Sequence, residues 1–120
     1  MQKVLYVITH DPKDRCDLVS GVFAQALTAL SLEFKTEVFL MDRGIKVVKK
    51  DYIKGMKSSS FDPLADLIRD FREMGGKLYV CHPFVEGGIV KRKECEDFVD
   101  EFINSSRLLD DSEEARVFTY

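Results

Sequence analysis

The chain has 120 residues, the usual size of one domain, and its 45% hydrophobic and 32% charged residues are typical of a globular protein rather than a disordered one. A net charge of -3 argues against a nucleic-acid partner, because proteins that bind a duplex usually present a basic face to the phosphates. Three cysteines without a CxxC pair resemble neither a secreted disulfide framework nor a structural zinc site, so a reducing, cytoplasmic compartment is expected.

The first predicted elements are a strand and a helix. Residues 4–8 form a continuous apolar run, which is typical of a central parallel strand covered on both faces. This run is too short to cross a membrane and is followed by charges, so neither membrane anchoring nor export is expected. A helix over about 14–32 follows, because apolar residues recur there at helical spacing: Leu18, Val19, Val22, Phe23, Ala26, Leu27 and Leu30.

The middle of the chain predicts a second strand and a second helix. Residues 36–41 read as a buried strand that ends in a turn at Asp42-Arg43-Gly44, and 45–48 as a short extended piece. Lysines, glycine and serines over 49–60 indicate a surface loop. The next helix begins after Asp62-Pro63, ends at Gly75-Gly76, and has an apolar face of Leu64, Leu67, Ile68 and Phe71.

The last third of the chain completes an alternation of strands and helices. We expect a third strand over 77–81, a loop over 82–88, a helix over about 90–104, a short strand at 107–109 and a final strand over 117–120. This order implies a three-layer α/β/α sandwich, with a mainly parallel sheet of about five strands and right-handed crossovers. One domain over 1–120 is expected.

Reactive groups in such folds gather at the carboxyl ends of the strands. Cys81 ends the third strand with His82 beside it, His10 follows the first strand, and Cys16 lies in the first turn of the first helix. A following helix N-terminus would favour the Cys81 thiolate at neutral pH, and either histidine would supply a base. The structural alternative for Cys81 is a small buried hydrophobe, and Cys95 falls on the apolar stripe of its predicted helix.

Other site chemistries find little support in the sequence. The spacing of the histidines and cysteines matches no familiar zinc pattern, so no metal is expected. Neither GxGxxG nor GxxxxGK[ST] is present, and no cofactor is predicted. The consecutive cations Lys91, Arg92 and Lys93 could stabilise the Cys81 thiolate, but they would oppose a helix dipole in its first turn, so a docking patch for a partner protein is an equally good interpretation.

Four motifs follow one another along the chain. They are Asp11-Pro12 after the opening strand, the turn Asp42-Arg43-Gly44-Ile45, the strand Leu78-Tyr79-Val80-Cys81 preceded by Glu73-Met74-Gly75-Gly76, and the closing Glu114-Ala115-Arg116-Val117-Phe118-Thr119-Tyr120. Together they resemble the DsrE/DsrF-like sulfur-relay family, which includes TusD-type proteins and to whose final strand the closing motif is similar. The resemblance covers nearly the whole chain, and this sequence departs from it in the bulky, acidic stretch over 82–88.

The resemblance implies a function for Cys81. In the family the cysteine that ends this strand is the proposed persulfide carrier, so Cys81 would accept sulfur from a donor protein and pass it to an acceptor, as a sulfurtransferase-like carrier. The family also implies assembly into trimers or hexamers. Two alternatives stay open: a non-catalytic module for ligand binding or assembly, and a redox-sensing thiol in which Cys16 resolves a sulfenic acid on Cys81.

Overall fold

The computed structural model describes residues 2–120 and contains a five-stranded sheet in the order β4-β3-β2-β1-β5, in which every neighbouring pair is parallel. The strands are β1 (Lys3–Ile8), β2 (Lys35–Leu40), β3 (Lys77–Cys81), β4 (Glu101–Ile103) and β5 (Ala115–Thr119). The α-helices are α1 (Cys16–Ser31), α2 (Leu64–Glu73), α3 (His82–Glu86) and α4 (Ser105–Ser112), and 3₁₀ helices cover Asp42–Val48 and Arg92–Glu94. The predicted α/β class with a parallel sheet is confirmed.

The first face of the sheet is covered by α1 and α2. The chain moves in one direction from β1 through β2 to β3, and right-handed crossovers therefore place both helices on the same side. The apolar stripe predicted for α2 is buried, and Phe71 on that helix meets Phe23 of α1 edge to face at 5.5 Å between ring centroids. This face holds the larger part of the core.

The second face is covered more thinly. After β4 the chain returns across the whole sheet to β5, so the crossover helix α4 lies on the opposite side. A smaller cluster is buried beneath it, formed by Leu5, Val7, Phe39, Tyr79, Cys81 and Ile103. None of the eight residues of α4 is itself buried, although Leu108 packs against this cluster. The Cys81 side chain therefore lies under the thinner layer.

The helix predicted over 90–104 is wrong, and so is the strand predicted at 107–109. Cys95 pairs with Lys49 in an isolated antiparallel bridge, and the Asp100 N–H donates to Leu78 O at 2.9 Å. These partners come from distant parts of the chain, and the segment passes through a turn at 97–98 before it enters β4. Arg107 lies in α4, where its N–H donates to the side chain of the N-cap residue Asn104 at 3.1 Å.

Two shorter segments also differ from expectation. The stretch predicted as a loop over 82–88 begins with α3, whose first turn contains Pro83, where the missing N–H of proline breaks no helical bond. The piece predicted as extended over 45–48 belongs to a 3₁₀ helix that packs directly on the end of β1. A Cβ on Gly44 would collide there with the carbonyl oxygen of Ile8, which explains the glycine of the Asp-x-Gly-Ile turn.

Among residues 2–120, no helix is long and apolar enough to cross a membrane.

Candidate functional site

Cys81 is the last residue of β3 and the N-cap of α3, and its side chain is enclosed. It is 3% exposed and belongs to the apolar cluster of the second face, where it pairs in register with Ile103 of the edge strand β4. The half-buried ring of Phe84, one turn into α3, packs against the same cluster. The thiol therefore sits at the strand end that the sequence predicts, but beneath a cover of apolar side chains.

The surroundings of Cys81 determine its protonation state. Burial raises the pKa of the thiol because the apolar cluster disfavours the thiolate, and the Phe84 N–H, which donates to the sulfur, lowers it by a smaller amount. The prediction that a following helix favours the thiolate at neutral pH is wrong for this conformation, since α3 has only five residues and burial dominates. Cys81 is therefore a protonated thiol while it stays covered.

His82 is next to Cys81 in sequence, but its ring is engaged elsewhere. Its Nε2 lies 2.7 Å from Glu86 Oε1, one turn further along α3, and the side chain is 40% exposed. Nδ1 is enclosed and has no hydrogen-bond partner in the described part of the chain. His82 and Glu86 thus form a pair on the surface beside the thiol, with one ring nitrogen left free.

The other predicted site residues lie away from Cys81. His10 is exposed in the loop after β1, a strand that β2 separates from β3. Cys16 begins α1 on the first face, with its Sγ 3.7 Å from Ser20 Oγ, whereas Cys81 faces the second layer. The structure therefore does not bring Cys16 and Cys81 together. Within residues 2–120, no three His, Cys, Asp or Glu side chains converge as a metal site.

The predicted docking patch is exposed. Lys91, Arg92 and Lys93 lie on the surface around the second 3₁₀ helix, and the Arg92 guanidinium sits 4.3 Å from the centroid of the Phe102 ring. The backbone N–H of Lys50 donates to Glu94 O at 2.8 Å, which brings another exposed lysine to the same surface. In the described chain, none of these four cations has an acidic partner within ion-pair distance.

A buried carboxylate at the end of β1 is absent from the predicted sites. Asp11 accepts hydrogen bonds from the Lys13 N–H and the Tyr52 hydroxyl, each at 2.9 Å, and Lys46 Nζ lies 3.4 Å away. Burial opposes its ionisation, but these three groups outweigh it and lower the pKa of Asp11. Burial and the nearby carboxylate in turn raise the pKa of Tyr52 to about 12. Asp11 thus connects the surface loop that contains Tyr52 to the carboxyl end of β1.

A second missed group, here termed the Glu37 network, joins the sheet to α4. Glu37 is 2% exposed, accepts from the Tyr79 hydroxyl at 3.1 Å, and forms an ion pair with Lys3 Nζ at 3.0 Å. Lys3 also lies 3.6 Å from Asp111 of α4, which pairs in turn with Arg107 at 3.5 Å. Burial and the Glu37 charge raise the pKa of Tyr79 well above its ordinary value. The ion pair between Lys3 and Asp111 therefore links α4 to the sheet, beside the packing of Leu108.

A groove of about 570 Å³ lies apart from the cysteine. It runs between α2 and the segments around Ile53 and Phe98, and Arg72 sits over the Phe98 ring at 5.7 Å. Charged side chains of both signs surround its apolar floor, and Cys81 is not among the lining residues. The thiol and the groove are therefore separate features of the molecule.

Comparison with known sequences gives one family and one curated relative. A model of the DsrE/DsrF-like family matches residues 2–86, a range that contains Cys81. The chain is similar to the uncharacterized protein MJ0760 of Methanocaldococcus jannaschii, with 29% identity over 93 residues, which make up 78% of this chain and 34% of that protein. The chain thus spans about a third of the length of this relative.

Comparison with solved structures supports the fold. The ychN protein from E. coli superposes with a TM-score of 0.71 at 17% sequence identity, with 100% of both chains covered. MTH1491 from Methanobacterium thermoautotrophicum gives a TM-score of 0.72 at 13% identity, again with 100% of both chains covered. At these identities the likeness is one of fold alone.

Proposed function

Because the chain belongs to the DsrE/DsrF-like family, we propose that it is a sulfur carrier that holds a sulfane sulfur as a persulfide on Cys81. The observation that carries the proposal is the family match over 2–86, which includes a cysteine at the carboxyl end of a parallel strand. The proposal places the protein in the cytoplasm as a homo-oligomer, a trimer or hexamer, with donor and acceptor proteins as its partners.

The proposed reaction is a thiol–persulfide exchange. The Cys81 thiolate attacks the outer sulfur of a donor persulfide R–S–SH, the S–S bond of the donor breaks, and the donor leaves as its thiolate R–S⁻. The proton released from the Cys81 thiol ends on the departing sulfur, directly or through water. One S–S bond forms as another breaks, so no external oxidant, reductant or cofactor takes part.

Burial of Cys81 makes uncovering of the thiol part of the proposal. Attack requires both a thiolate and access to the donor sulfur, and the resting conformation offers neither. Phe84 belongs to a five-residue helix and is only half-buried, and a short surface helix of this kind can open locally without unfolding of the whole chain. Docking of the donor would move this ring and leave the Phe84 N–H facing the exposed sulfur.

The proposal is tested by loading the protein with sulfur. Purified protein is incubated with a cysteine-dependent sulfurtransferase and its substrate, and peptide mass spectrometry locates any added sulfur atom. We expect the adduct on the peptide containing Cys81, its loss in Cys81→Ser, and its retention in the matched variants Cys16→Ser and Cys95→Ser. An adduct that persists on another cysteine in Cys81→Ser, or no adduct on the wild type, would contradict the sulfur-carrier function.

The donor is proposed to dock on the patch formed by Lys91, Arg92 and Lys93. Reversal of all three to Glu should slow the loading of Cys81 by about tenfold at low salt and weaken its dependence on ionic strength, because charges on a surface steer an oppositely charged partner. The loading rate is measured over a series of salt concentrations. Lys35→Glu with Lys77→Glu, exposed at the amino-terminal ends of β2 and β3, is the control. Equal rates for both variants would remove the patch from the docking surface.

A second candidate function is a non-catalytic module for ligand binding or assembly, and the burial of Cys81 favours it. In this alternative the cysteine serves packing alone, and the groove beside α2 is a separate place for a ligand. Alkylation of the native protein separates the two functions. A carrier cysteine reacts on transient opening or in the presence of the donor, whereas a packing cysteine reacts only when the whole chain unfolds.

A further inference from the structure

The two edges of the sheet differ in how they are protected. β4 has three residues and is bordered by Asp100 and Asn104, and short, polar edges are those that resist pairing with another strand. β5 has five residues, and Val117 and Phe118 within it are 45% and 40% exposed. It contains neither proline nor lysine, and Arg116 is its one charge. The β5 edge thus has the character of a pairing surface.

The backbone hydrogen bonds show which groups of β5 are free. The Tyr120 N–H donates to Val7 O, and the Tyr120 carbonyl accepts from the Thr9 N–H, both at 2.7 Å, so the backbone groups of Tyr120 face β1. Successive residues of a strand alternate in this direction. The N–H and C=O groups directed away from the sheet are therefore those of Ala115, Val117 and Thr119. No strand lies on that side of β5 in the described sheet.

We propose that a second copy of this chain pairs its own β5 antiparallel with this edge, about a two-fold axis at Val117. In this register Val117 faces Val117 of the second copy as a hydrogen-bonded pair, and Ala115 faces Thr119 of the second copy. Every outward N–H and C=O of these three residues then finds a partner.

The side chains of β5 are complementary to themselves in this register. Arg116 and Phe118 project on the same face as Tyr6, whose ring stacks on Phe118 at 5.7 Å, and each arginine lies directly opposite the phenylalanine of the other copy. Arg116 has no acidic partner within residues 2–120, so its guanidinium is available for a cation–π contact. The two Val117 side chains meet on the other face, the side of α4, where Leu109 is 70% exposed.

An interface of this kind uses the same surface on both copies and therefore joins them in pairs. It gives one continuous sheet across two subunits, with antiparallel neighbours only at the junction. The wild-type mass should be an even multiple of 13.8 kDa, so that of the trimer and hexamer proposed above only the hexamer is compatible with this interface. The inference is independent of sulfur transfer, because it rests on β5 alone.

Proline at Val117 is the sharpest test. It removes an outward N–H and no bond between β1 and β5, since only the groups of Arg116, Phe118 and Tyr120 face β1. Light scattering after size exclusion should show half the wild-type mass for Val117→Pro. Glu101→Lys is the control at the opposite edge, because residue 101 is exposed on β4 and the substitution keeps its backbone N–H. This control should keep the wild-type mass.

A second variant guards against failure to fold. Val117→Lys keeps the backbone donor and puts two ammonium groups opposite each other, so its mass should also be halved, with an unchanged circular dichroism spectrum. If Val117→Pro does not fold, the mass of Val117→Lys tests the proposal instead. A monomeric or trimeric wild type, variants at Val117 that keep the wild-type mass, or an equal loss of mass in Glu101→Lys would each overturn the proposal.

Discussion

Truncation of Phe84 to alanine should increase the reactivity of Cys81 by about tenfold at neutral pH, because loss of the ring lowers the pKa of the thiol and opens access to its sulfur. The ring packs against the cluster that encloses the thiol, and burial is the larger of the two influences on the pKa of Cys81. The N–H of residue 84 belongs to the backbone and stays in place. The substitution therefore removes the group that disfavours the thiolate and keeps the group that favours it.

The measurement is the rate of alkylation of Cys81 in the native protein as a function of pH, with the modified peptide quantified by mass spectrometry. In the wild type the rate should still rise above the ordinary pKa of a thiol, because burial raises the pKa of Cys81. In Phe84→Ala the midpoint should move to lower pH. Phe98→Ala is the matched control, since this half-buried ring packs on the first face. Equal profiles for the two variants would show that Phe84 does not control access.

The parts of the fold that follow from local sequence could be predicted. The continuous apolar run predicts β1, and the helical spacing of apolar residues predicts α1. In both cases the pattern of buried residues lies within one short stretch of sequence. The order of such elements is sufficient for a parallel sheet with helices on both faces. The position of Cys81 follows as well, because it depends only on where β3 ends.

The misread segment over 90–104 shows where local pattern is insufficient. Val90, Cys95, Phe98, Val99 and Phe102 are spaced roughly as on one face of a helix, and all of them contact the main core. The segment does not form that helix, because its backbone partners lie on Lys49 and on β3. Such pairing joins residues that are distant in sequence, and the spacing of apolar residues within the segment contains no information about it.

The side chains that surround Cys81 could not be predicted from the sequence either. Cys81 has the same neighbours in the chain whether it is exposed or covered, and the covering side chains come from β2, β4, α3 and α4. The buried carboxylates are a similar case. Glu37 reads as one acidic residue in an apolar strand, and its partners Lys3 and Tyr79 stand on the two neighbouring strands. A charge in a strand predicts a partner but does not identify it.

Among the polar groups of the fold, the Glu37 network should lose the most unfolding free energy when one of its residues is substituted. Lys3→Met keeps much of the aliphatic stem of the lysine but leaves the Glu37 carboxylate buried, with the Tyr79 hydroxyl as its remaining partner. A buried charge that loses its counter-ion typically costs about 3 kcal/mol of unfolding free energy. We expect a loss of this size in urea unfolding, with an unchanged dependence on urea concentration.

The double variant Lys3→Met with Glu37→Gln separates the buried charge from the rest of the network. The amide oxygen of glutamine still accepts from Tyr79 and carries no charge, so most of the lost stability should return. The ion pair between Lys3 and Asp111 is missing from both variants, and the difference between them therefore reports on Glu37 alone. If both variants lose the same stability, Lys3 acts by fastening α4 through Asp111 rather than by neutralising Glu37.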